Sequence, residues 1–449
     1  MNLSIYPALM QLEDMLKGGN TRKHFGRLKR LKCVDPEYLH DYKWAALQKL
    51  LKHAYTNVPF YKKEFDAQGV QPEDIKSFED FSKLPAIDRA TVKSNELDLF
   101  SNAHDRLSIM SGYTSGSSGT PMIFHYDQKS YSAGRAAVLF GWDLAGKKMG
   151  DKMVTVWGDR STAEEKWPKL DSRLKAILYR NRRIPSYSLS EEAKIRRALD
   201  IIRKRRGGYI FGYTNAIHTL ASYAEDHDVK FEVKFDGVLT TAENLFPHQR
   251  RVIEDVLGPV YDGYGCQEIL GIAYQCQERK GYHIIEPNVI FETCGCVDDS
   301  KEIILTDLWN YAWPLIRYKP GDLVSGKIEG NCPCGCTWTG FQNLDGRISD
   351  VVTAPDGRRI YYTLWLVISF VLDHHPNIKQ FQWVKEDHDK LVLKLLFHNG
   401  PDDSIRNSIK VDLEPYFKDV IGFEVEFVDR FETGPGGKHQ VVLDMTKKI

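Results

Sequence analysis

The 449-residue sequence predicts an α/β fold whose sheets are mostly parallel. Between about residues 101 and 260, short runs typical of β-strands alternate with longer stretches of helical periodicity. The β-rich runs cover residues 122–126, 152–157, 209–211 and 237–240, and the helix-like stretches cover 130–144, 191–205, 216–227 and 247–257. The chain is also too long for one ordinary domain, which predicts two or three.

The segments before and after this alternating region have patterns of their own. Residues 1–100 are expected to be mostly helical, with a helix over 42–55 that Asn57 to Pro59 end and a second over 60–68 that Gly69 ends. Residues 351–449 form a segment of domain size, with strands expected over 391–397 and 423–428. The chain is therefore expected to have a helical lead-in, a large central unit and a small C-terminal unit.

Composition excludes several classes of protein. Hydrophobic residues make up 42% of the chain and charged residues 27%, as in ordinary soluble proteins. Lys plus Arg equals Asp plus Glu at 61 each, which argues against a nucleic-acid partner. No apolar run reaches the ~18–20 residues of a membrane span, and residues 1–17 lack the apolar core of a signal peptide. We therefore expect a cytoplasmic protein with no membrane span and no disulfide scaffold.

The run from Gly112 to Pro121 combines glycines with hydroxyl side chains and carries no charge. Successive backbone N–H groups in such a turn form a concave anion site, so we predict that it binds phosphate. The alternative is a flexible Ser/Gly linker, but the hydrophobic residues 122–124 follow at once. The run is not a Walker loop, because no Lys follows Gly119.

Further along, polar residues follow the ends of predicted strands, where open α/β sheets bind ligands. Tyr213, Thr241, Ala242 and Glu243 lie at such ends, although Glu243 also fits an acid at a helix N-terminus. In the Gly-flanked turn over 261–268, Glu268 has the carboxylate that Mg²⁺ prefers, and Tyr264 has a ring that can stack on a purine; a plain turn before a helix is the alternative.

Asp322 follows Gly321, and we expect it to end a strand-like run. A carboxylate in that place can accept hydrogen bonds from both hydroxyls of a ribose, as acidic residues do in dinucleotide folds.

Five motifs in this order resemble those of the adenylate-forming enzymes, which include acyl-CoA synthetases, luciferases and peptide-synthetase adenylation domains. Residues 114–121, Thr-Ser-Gly-Ser-Ser-Gly-Thr-Pro, are similar to their phosphate loop, and residues 264–268 to Tyr-Gly-x-[Thr/Ser]-Glu, with Gln267 in place of the hydroxyl residue. Residues 317–322 match Arg-Tyr-x-x-Gly-Asp, and residues 346–350 match Gly-Arg-x-[Asp/Lys]-Asp, with Ser349 at the hinge position. Lys438, in a glycine-rich stretch, matches the C-terminal catalytic lysine.

Residues 53–61 and 81–85 are similar to the opening of one branch of this superfamily, which holds phenylacetate–CoA ligase and its capsule-biosynthesis (CapK-like) relatives. The resemblance covers essentially the whole chain. It implies a large multi-layer N-terminal domain over 1–346 and a small, mobile α+β C-terminal domain over 347–449.

The resemblance also implies a function. The protein would be an AMP-forming ligase that activates a small-molecule carboxylic acid with ATP and Mg²⁺ and transfers the acyl group, first of all to coenzyme A. An amine or hydroxyl acceptor in polysaccharide or natural-product assembly is an alternative, and so is a nucleotide-binding scaffold that has lost catalysis. The sequence leaves open whether the protein forms a homodimer.

The site residues that the resemblance implies fall into three groups. Lys438 and Glu268 are the expected catalytic residues, with Glu268 as the Mg²⁺ ligand. The expected ATP/AMP-binding residues are Thr114, Ser115, Gly116, Ser117, Ser118, Gly119, Thr120, Glu243, Tyr264, Gly265, Asp322 and Arg347. The expected substrate pocket consists of Tyr213, Thr241, Ala242 and Gly263.

Most of the eight cysteines lie between Cys266 and Cys336. A Cys-x-Cys-x-Cys turn over 332–336 and a Cys…His pair over 276–283 can together supply a tetrahedral Cys₃His zinc site, which would be structural because it is closed. Some phenylacetate–CoA ligase-like proteins have the same arrangement, and the residues that match their ligands are Cys276, His283, Cys332 and Cys334. Cys294, Cys296 and Cys336 leave the ligand set open, and free buried thiols are the alternative.

Overall fold

The computed structural model of the protein confirms the predicted α/β class. A large mixed sheet with helices packed on it is followed by a smaller C-terminal sheet. The residues that the structure describes are 6–113, 122–158, 178–186, 189, 191–297, 299–348, 351–357, 359–360, 364, 371, 375, 378–397, 403–417, 420–429, 431 and 442–446. Within these ranges, no helix is both long enough and apolar enough to cross a membrane.

The lead-in is helical, as predicted. Its elements are α1 Tyr6–Leu16, α2 Thr21–Leu31, α3 Pro36–Asn57, α4 Pro59–Gln68, α5 Phe78–Ser82, the short strand β1 Ile87–Asp88, and α6 Arg89–Ser94. Asp35 caps α3 by accepting a hydrogen bond from the N–H of Glu37 at 2.8 Å. Both predicted helix ends are confirmed: α3 ends before Val58 and Pro59, and α4 ends at Gly69, whose φ is +65°.

The central region begins with a hairpin and continues as a parallel sheet. The elements are β2 Met110–Tyr113, β3 Ile123–Tyr126, α7 Gln128–Leu144, β4 Met153–Val156, β5 Asn181–Ile184, α8 Glu192–Arg205, β6 Tyr209–Tyr213, α9 Thr214–Asp226, β7 Gly237–Thr241, α10 Pro247–Val256 and β8 Val260–Tyr264. Neighbouring strands in the order β8-β7-β6-β4-β5 are parallel. The four strands and four helices predicted in this region are thereby confirmed, with small shifts at their ends.

The same sheet continues past β8 with antiparallel strands. They are β9 Ala273–Gln275, β10 Tyr282–Ile284, β11 Val289–Val297, β12 Ser300–Asp307, β13 Tyr318–Lys319, β14 Asp322–Ile328 and β15 Gly340–Arg347. The full order is β1-β13-β12-β14-β15-β10-β9-β8-β7-β6-β4-β5, with β11 on β12. Since β8 pairs with β7 in parallel and with β9 antiparallel, the sheet is mixed, and its pairing changes at the strand that ends in Tyr264.

The C-terminal segment has a sheet and a hydrophobic core of its own. Its elements are β16 Val352–Thr353, β17 Arg359–Ile360, β18 Ile378–Lys385, β19 Lys390–Phe397, α11 Asp403–Phe417, β20 Gly422–Phe427 and β21 Val442–Asp444. Both predicted strands are present, as β19 and β20. Trp383 and Phe417 are fully buried in this core. The boundary at residue 346 and the mobility of this segment remain predictions.

Helix α7 packs closely on the antiparallel part of the sheet because glycine lines the contact. A Cβ built on Gly141 would lie 2.2 Å from the ring of Tyr274 on β9, which is buried. By contrast, a Cβ on Gly26 in α2 would meet only the end of Arg30, at 3.8 Å. Gly141 therefore sets how near the helix lies to the strand.

We predict opposite effects for the same substitution in these two helices. Gly141→Ala should destabilise the fold by about 1–3 kcal/mol, because the added methyl overfills a packed contact. Gly26→Ala should be neutral or stabilise by up to about 1 kcal/mol, since alanine favours the helix. Urea unfolding of both variants is the measurement, and equal effects would contradict the packing argument.

Candidate active site

Three predicted nucleotide-binding residues meet at one carboxylate. Tyr264, at the end of β8, donates its hydroxyl hydrogen to Oδ2 of Asp322 at 2.8 Å. The Nε of Arg347, at the end of β15, lies 3.3 Å from Oδ1 of the same carboxylate. Asp322 and Arg347 are also directly opposite each other across β14 and β15. Residues from three separate sequence motifs thus lie side by side.

The position of Asp322 in its strand differs from the prediction. We expected it to end a strand, but it is the first residue of β14. The reason is Gly321, whose φ of +84° turns the chain after the two-residue strand β13. The turn leaves the carboxylate at the start of a new strand, facing Tyr264.

Burial shifts the pKa values of both Asp322 and Tyr264. It raises the pKa of Asp322, and the charge of Arg347 opposes that rise. Burial also holds the pKa of Tyr264 well above that of a free phenol, so its hydroxyl stays protonated and remains a donor. The side chain of Tyr264 is only 5% exposed. Its stacking on a purine remains a prediction.

Glu268 lies close by, after the turn at Gly265. The hydroxyl of Tyr318 donates to its Oε1 at 3.1 Å, and burial raises the pKa of that tyrosine. The carboxylate is half-buried and forms part of a cavity wall. A carboxylate oriented by a neutral donor at the edge of a cavity is a suitable ligand for a hard cation.

The cavity has a volume of about 340 Å³, which is at the small end for ligand pockets. Its lining residues are Phe124, Tyr126, Ser130, Tyr131, Ala133, Gly134, Trp157, Gln267, Glu268, Ile269, Leu270, Asn288, Val289, Asp307, Trp309 and Asn310. Most of these come from α7, from the segment after β8, and from the segment after β12. Except for Glu268, sequence reasoning assigned none of them to the site.

None of the four predicted pocket residues is among those that line this cavity. Tyr213 stacks on Trp157, with the ring centroids 4.1 Å apart. Thr241 donates its hydroxyl hydrogen to the carbonyl oxygen of Gly263 at 2.9 Å. Ala242 has a left-handed φ of +69°, and a Cβ on Gly263 would lie 2.6 Å from the ring of Tyr274. The structure therefore gives Gly263 a packing role.

Glu243 caps a neighbouring helix. One carboxylate oxygen accepts a hydrogen bond from the N–H of Asn215 at 2.8 Å, at the start of α9. This contact matches the alternative that the sequence left open, an acid at a helix N-terminus. A role for Glu243 toward a nucleotide remains a prediction.

The predicted phosphate loop, Thr114 to Thr120, and Lys438 lie outside the described residues. The two strands that flank the loop are described, and Tyr113 pairs with Ile123 across the hairpin. His125 anchors this hairpin, because its ring nitrogens lie 2.9 Å from the Ser111 hydroxyl and 3.0 Å from Glu96. The two strands that flank the loop are therefore paired with each other and anchored.

The four cysteine and histidine residues predicted to bind zinc form one cluster. The ligand atoms of Cys276, His283, Cys332 and Cys334 all lie within 4.8 Å of one another. The sulfurs of Cys276 and Cys332 are 3.7 Å apart, and the sulfur of Cys334 is 3.5 Å from Nε2 of His283. A tetrahedron with Zn–S bonds of ~2.3 Å has its sulfurs about 3.8 Å apart, so the donor set fits zinc.

A second network of buried polar groups supports the end of β8. Asp262 is 2% exposed and accepts hydrogen bonds from the hydroxyls of Thr240 at 2.6 Å and Tyr282 at 2.7 Å. Burial raises its pKa to about 6, although both hydrogen bonds act in the opposite direction. The network joins β7, β8 and β10 two residues before Tyr264.

Comparison with known proteins finds similarity to CapK and to CoA ligases. No family model matches it. It is 24% identical to protein CapK of Staphylococcus aureus over 441 residues, which cover 96% of this chain and 94% of that protein. It is 26% identical to the phenylacetate-coenzyme A ligase of Pseudomonas putida over 310 residues, covering 65% and 68%. The crystal structure of 2-hydroxyisobutyryl-CoA ligase in the postadenylation state, in complex with R3-HIB-AMP, matches with a TM-score of 0.74 at 19% identity, covering 93% and 92%.

These similarities confirm the resemblance to the adenylate-forming superfamily and to its phenylacetate–CoA ligase and CapK-like branch. The fold of the chain is the fold of an acyl-CoA ligase over nearly its full length. The predicted enzyme class, an AMP-forming ligase, agrees with the ligases among these proteins.

The buried Asp262 generates a prediction about pH. Its folded pKa of about 6 exceeds the ~3.9 of an unfolded Asp, so its contribution to stability is complete below about pH 4 and is lost as the pH rises through 6. Asp262→Asn cannot ionise. Its free energy of unfolding relative to wild type should therefore increase from pH 4.5 to 7.5, by at most about 3 kcal/mol.

The measurement is denaturant unfolding of both proteins at each pH, with Asp228→Asn as the exposed control. Asp228 lies on a surface loop, and its substitution should leave the pH profile unchanged. A difference between Asp262→Asn and wild type that does not change with pH would show that the fold does not raise the pKa of Asp262.

Proposed function

We propose that this protein is an AMP-forming ligase that converts a carboxylic acid to an acyl-CoA thioester. A carboxylate oxygen of the acid attacks the α-phosphorus of ATP, pyrophosphate leaves, and the thiol sulfur of coenzyme A then displaces AMP from the acyl-adenylate. The observation that carries the proposal is that Tyr264 and Arg347, from two distant motifs, meet at the carboxylate of Asp322, while Glu268, from the motif of Tyr264, forms part of a cavity wall.

In this proposal each group at the site has one task. Asp322 accepts hydrogen bonds from the ribose hydroxyls, and its contacts with Tyr264 and Arg347 hold the carboxylate in position for them. Glu268 is a ligand of Mg²⁺, which neutralises phosphate charge. The phosphate loop from Thr114 to Thr120 binds the phosphates through its N–H groups and hydroxyls. Lys438 neutralises the charge that gathers during adenylation.

The acyl group of the acid occupies the cavity beside Glu268. A ligand there lies between the aromatic rings of Tyr126, Tyr131 and Trp157, and its carboxylate faces the Glu268 end. Tyr213 supports this wall from behind, through its stacking on Trp157. This arrangement agrees with catalysis by positioning and charge neutralisation, which require few residues that react themselves.

The cysteine and histidine cluster is proposed to hold one structural zinc ion. Four protein ligands would fill a tetrahedral site and leave no open position for a substrate. The turn that holds Cys332 and Cys334 contacts the end of α2: Lys32 donates to the carbonyl oxygen of Cys334 at 2.7 Å, and the indole N–H of Trp338 donates to that of Leu31 at 2.9 Å. Zinc would therefore fix the lead-in helices to the sheet.

Acid-dependent exchange of labelled pyrophosphate into ATP tests the proposed reaction. A panel of carboxylic acids should identify at least one that supports exchange, and added CoA should then yield the thioester of that acid, detected by mass spectrometry. Glu268→Gln should reduce exchange by about 10²-fold or more, because it removes a charged metal ligand.

Glu225→Gln, an exposed change on α9, is the matched control and should exchange as wild type does. If no acid in a broad panel supports exchange, the proposed function is wrong. Exchange by Glu268→Gln at the wild-type rate under limiting Mg²⁺ would refute only the role of Glu268.

Metal analysis of protein purified without chelators should find one zinc ion per chain. Cys334→Ser should lose that zinc and lower the melting temperature, because metal binding is coupled to folding. Cys294→Ser is the matched control: the Cys294 sulfur lies beside Glu302, outside the cluster, so this variant should keep the zinc. Zinc-free wild-type protein, or loss of zinc in both variants, would contradict the proposed ligand set.

A further inference from the structure

We propose that Asp307 selects the substrate: the cavity accepts a planar, aromatic acid that carries a hydrogen-bond-donating substituent, a hydroxyl or amino group, within reach of the Asp307 carboxyl. The inference rests on the proposed function, because it assigns the substrate class of that same site. It concerns a residue at the end of β12 that no sequence motif indicated.

The walls of the cavity favour a flat acyl group. The rings of Tyr126 and Tyr131 stack at 5.7 Å between centroids and 22° between planes, and Trp157 is fixed by stacking on both Phe211 and Tyr213. Rings that are held in this way present fixed faces to a ligand and lose little conformational freedom when it binds.

Most polar groups of the cavity are already engaged within the protein. Asn288 accepts a hydrogen bond from Arg27 and donates one to the carbonyl oxygen of Ala133. Asn310 donates to the carbonyl oxygen of His125 at 2.8 Å and accepts from the N–H of Trp313 at 3.1 Å. Their amide groups hold the wall together, so they contribute little to discrimination between ligands.

Asp307 differs from these neighbours. Its Oδ1 accepts the N–H of Trp309 at 2.8 Å, and both of its donors, Trp309 and Asn310, are backbone N–H groups. In the part of the chain that the structure describes, no side chain donates to its carboxyl and no ion pair includes it. Burial raises its pKa to about 7, and the nearby charge of Asp127 adds to that rise. Because its donors are two backbone N–H groups, the carboxyl keeps lone pairs that can accept a hydrogen bond from a ligand in the cavity.

The energetic consequence follows from desolvation. A donor on the ligand replaces the water that a carboxyl oxygen loses when the cavity fills, whereas an apolar ligand leaves that oxygen unpaired. Sites built to bond a polar group discriminate strongly against the analogue that lacks it. For one partly buried carboxyl we expect about 10- to 100-fold in kcat/KM.

The test compares matched acids in the pyrophosphate-exchange assay: phenylacetate with 4-hydroxyphenylacetate, and benzoate with 4-aminobenzoate and, as a control for size, 4-methylbenzoate. Wild type should prefer the donor-bearing member of each pair by about 10-fold or more, and the methyl group should give no such gain. In Asp307→Asn, the ratio of kcat/KM between the donor-bearing and the unsubstituted acid of each pair should fall most of the way to unity, whatever the absolute rates.

Asp228→Asn is the control and should keep the wild-type preference. Turnover of the unsubstituted acids shows that Asp307→Asn is folded. The comparison of paired acids with the wild-type enzyme does not depend on any variant. Equal turnover of paired acids by wild type, an unchanged preference in Asp307→Asn, or turnover of non-aromatic acids alone would each overturn the inference and leave the proposed function intact. Absence of exchange with every acid would overturn both.

Discussion

The carboxylate of Asp322 joins the two parts of the large sheet at the candidate active site. Tyr264 reaches it from the last parallel strand, and Arg347 reaches it from the antiparallel part. A buried carboxylate destabilises the fold unless it accepts hydrogen bonds or pairs with a cation. The positions of Tyr264 and Arg347 are therefore tied to that of Asp322. Because Glu268 follows Tyr264 by four residues, the same contact also determines where the proposed magnesium ligand lies.

Many of the secondary-structure elements, and the site residues that belong to motifs, could be predicted from the sequence. Strand–helix alternation predicted β3, β4, β6 and β7 and the helices α7 to α10, since each of these strands is a short apolar run bounded by turn residues. Tyr264, Glu268, Asp322 and Arg347 could be named together because they belong to motifs of known order. The start of β14 at Asp322 was missed, since the two-residue strand β13 and the turn at Gly321 read as one continuous run.

The cavity could not be predicted, because its walls come from segments that are far apart in sequence. Asp307 ends a strand whose residues look like ordinary sheet core, and Ser130 and Tyr131 lie in a helix with no chemical motif. Only packing brings them near Glu268. The cysteine cluster could be predicted, because its ligands lie in two short segments, 276–283 and 332–336, with spacings typical of zinc sites. The structure shows that Cys294 is outside the cluster, on β11 and beside Glu302.

The contact between the cysteine turn and α2 determines how far the chain can be shortened. The carbonyl oxygens of Lys32 and Val34 accept hydrogen bonds from Thr337, and that of Leu31 accepts from Trp338, so the end of α2 covers the side of the cluster. Described residues 6–20 make no hydrogen bond to this turn, so a deletion that stops before Thr21 leaves these contacts in place. A deletion past Leu31 would uncover the cysteines to oxidation, and recombinant versions should therefore retain α2.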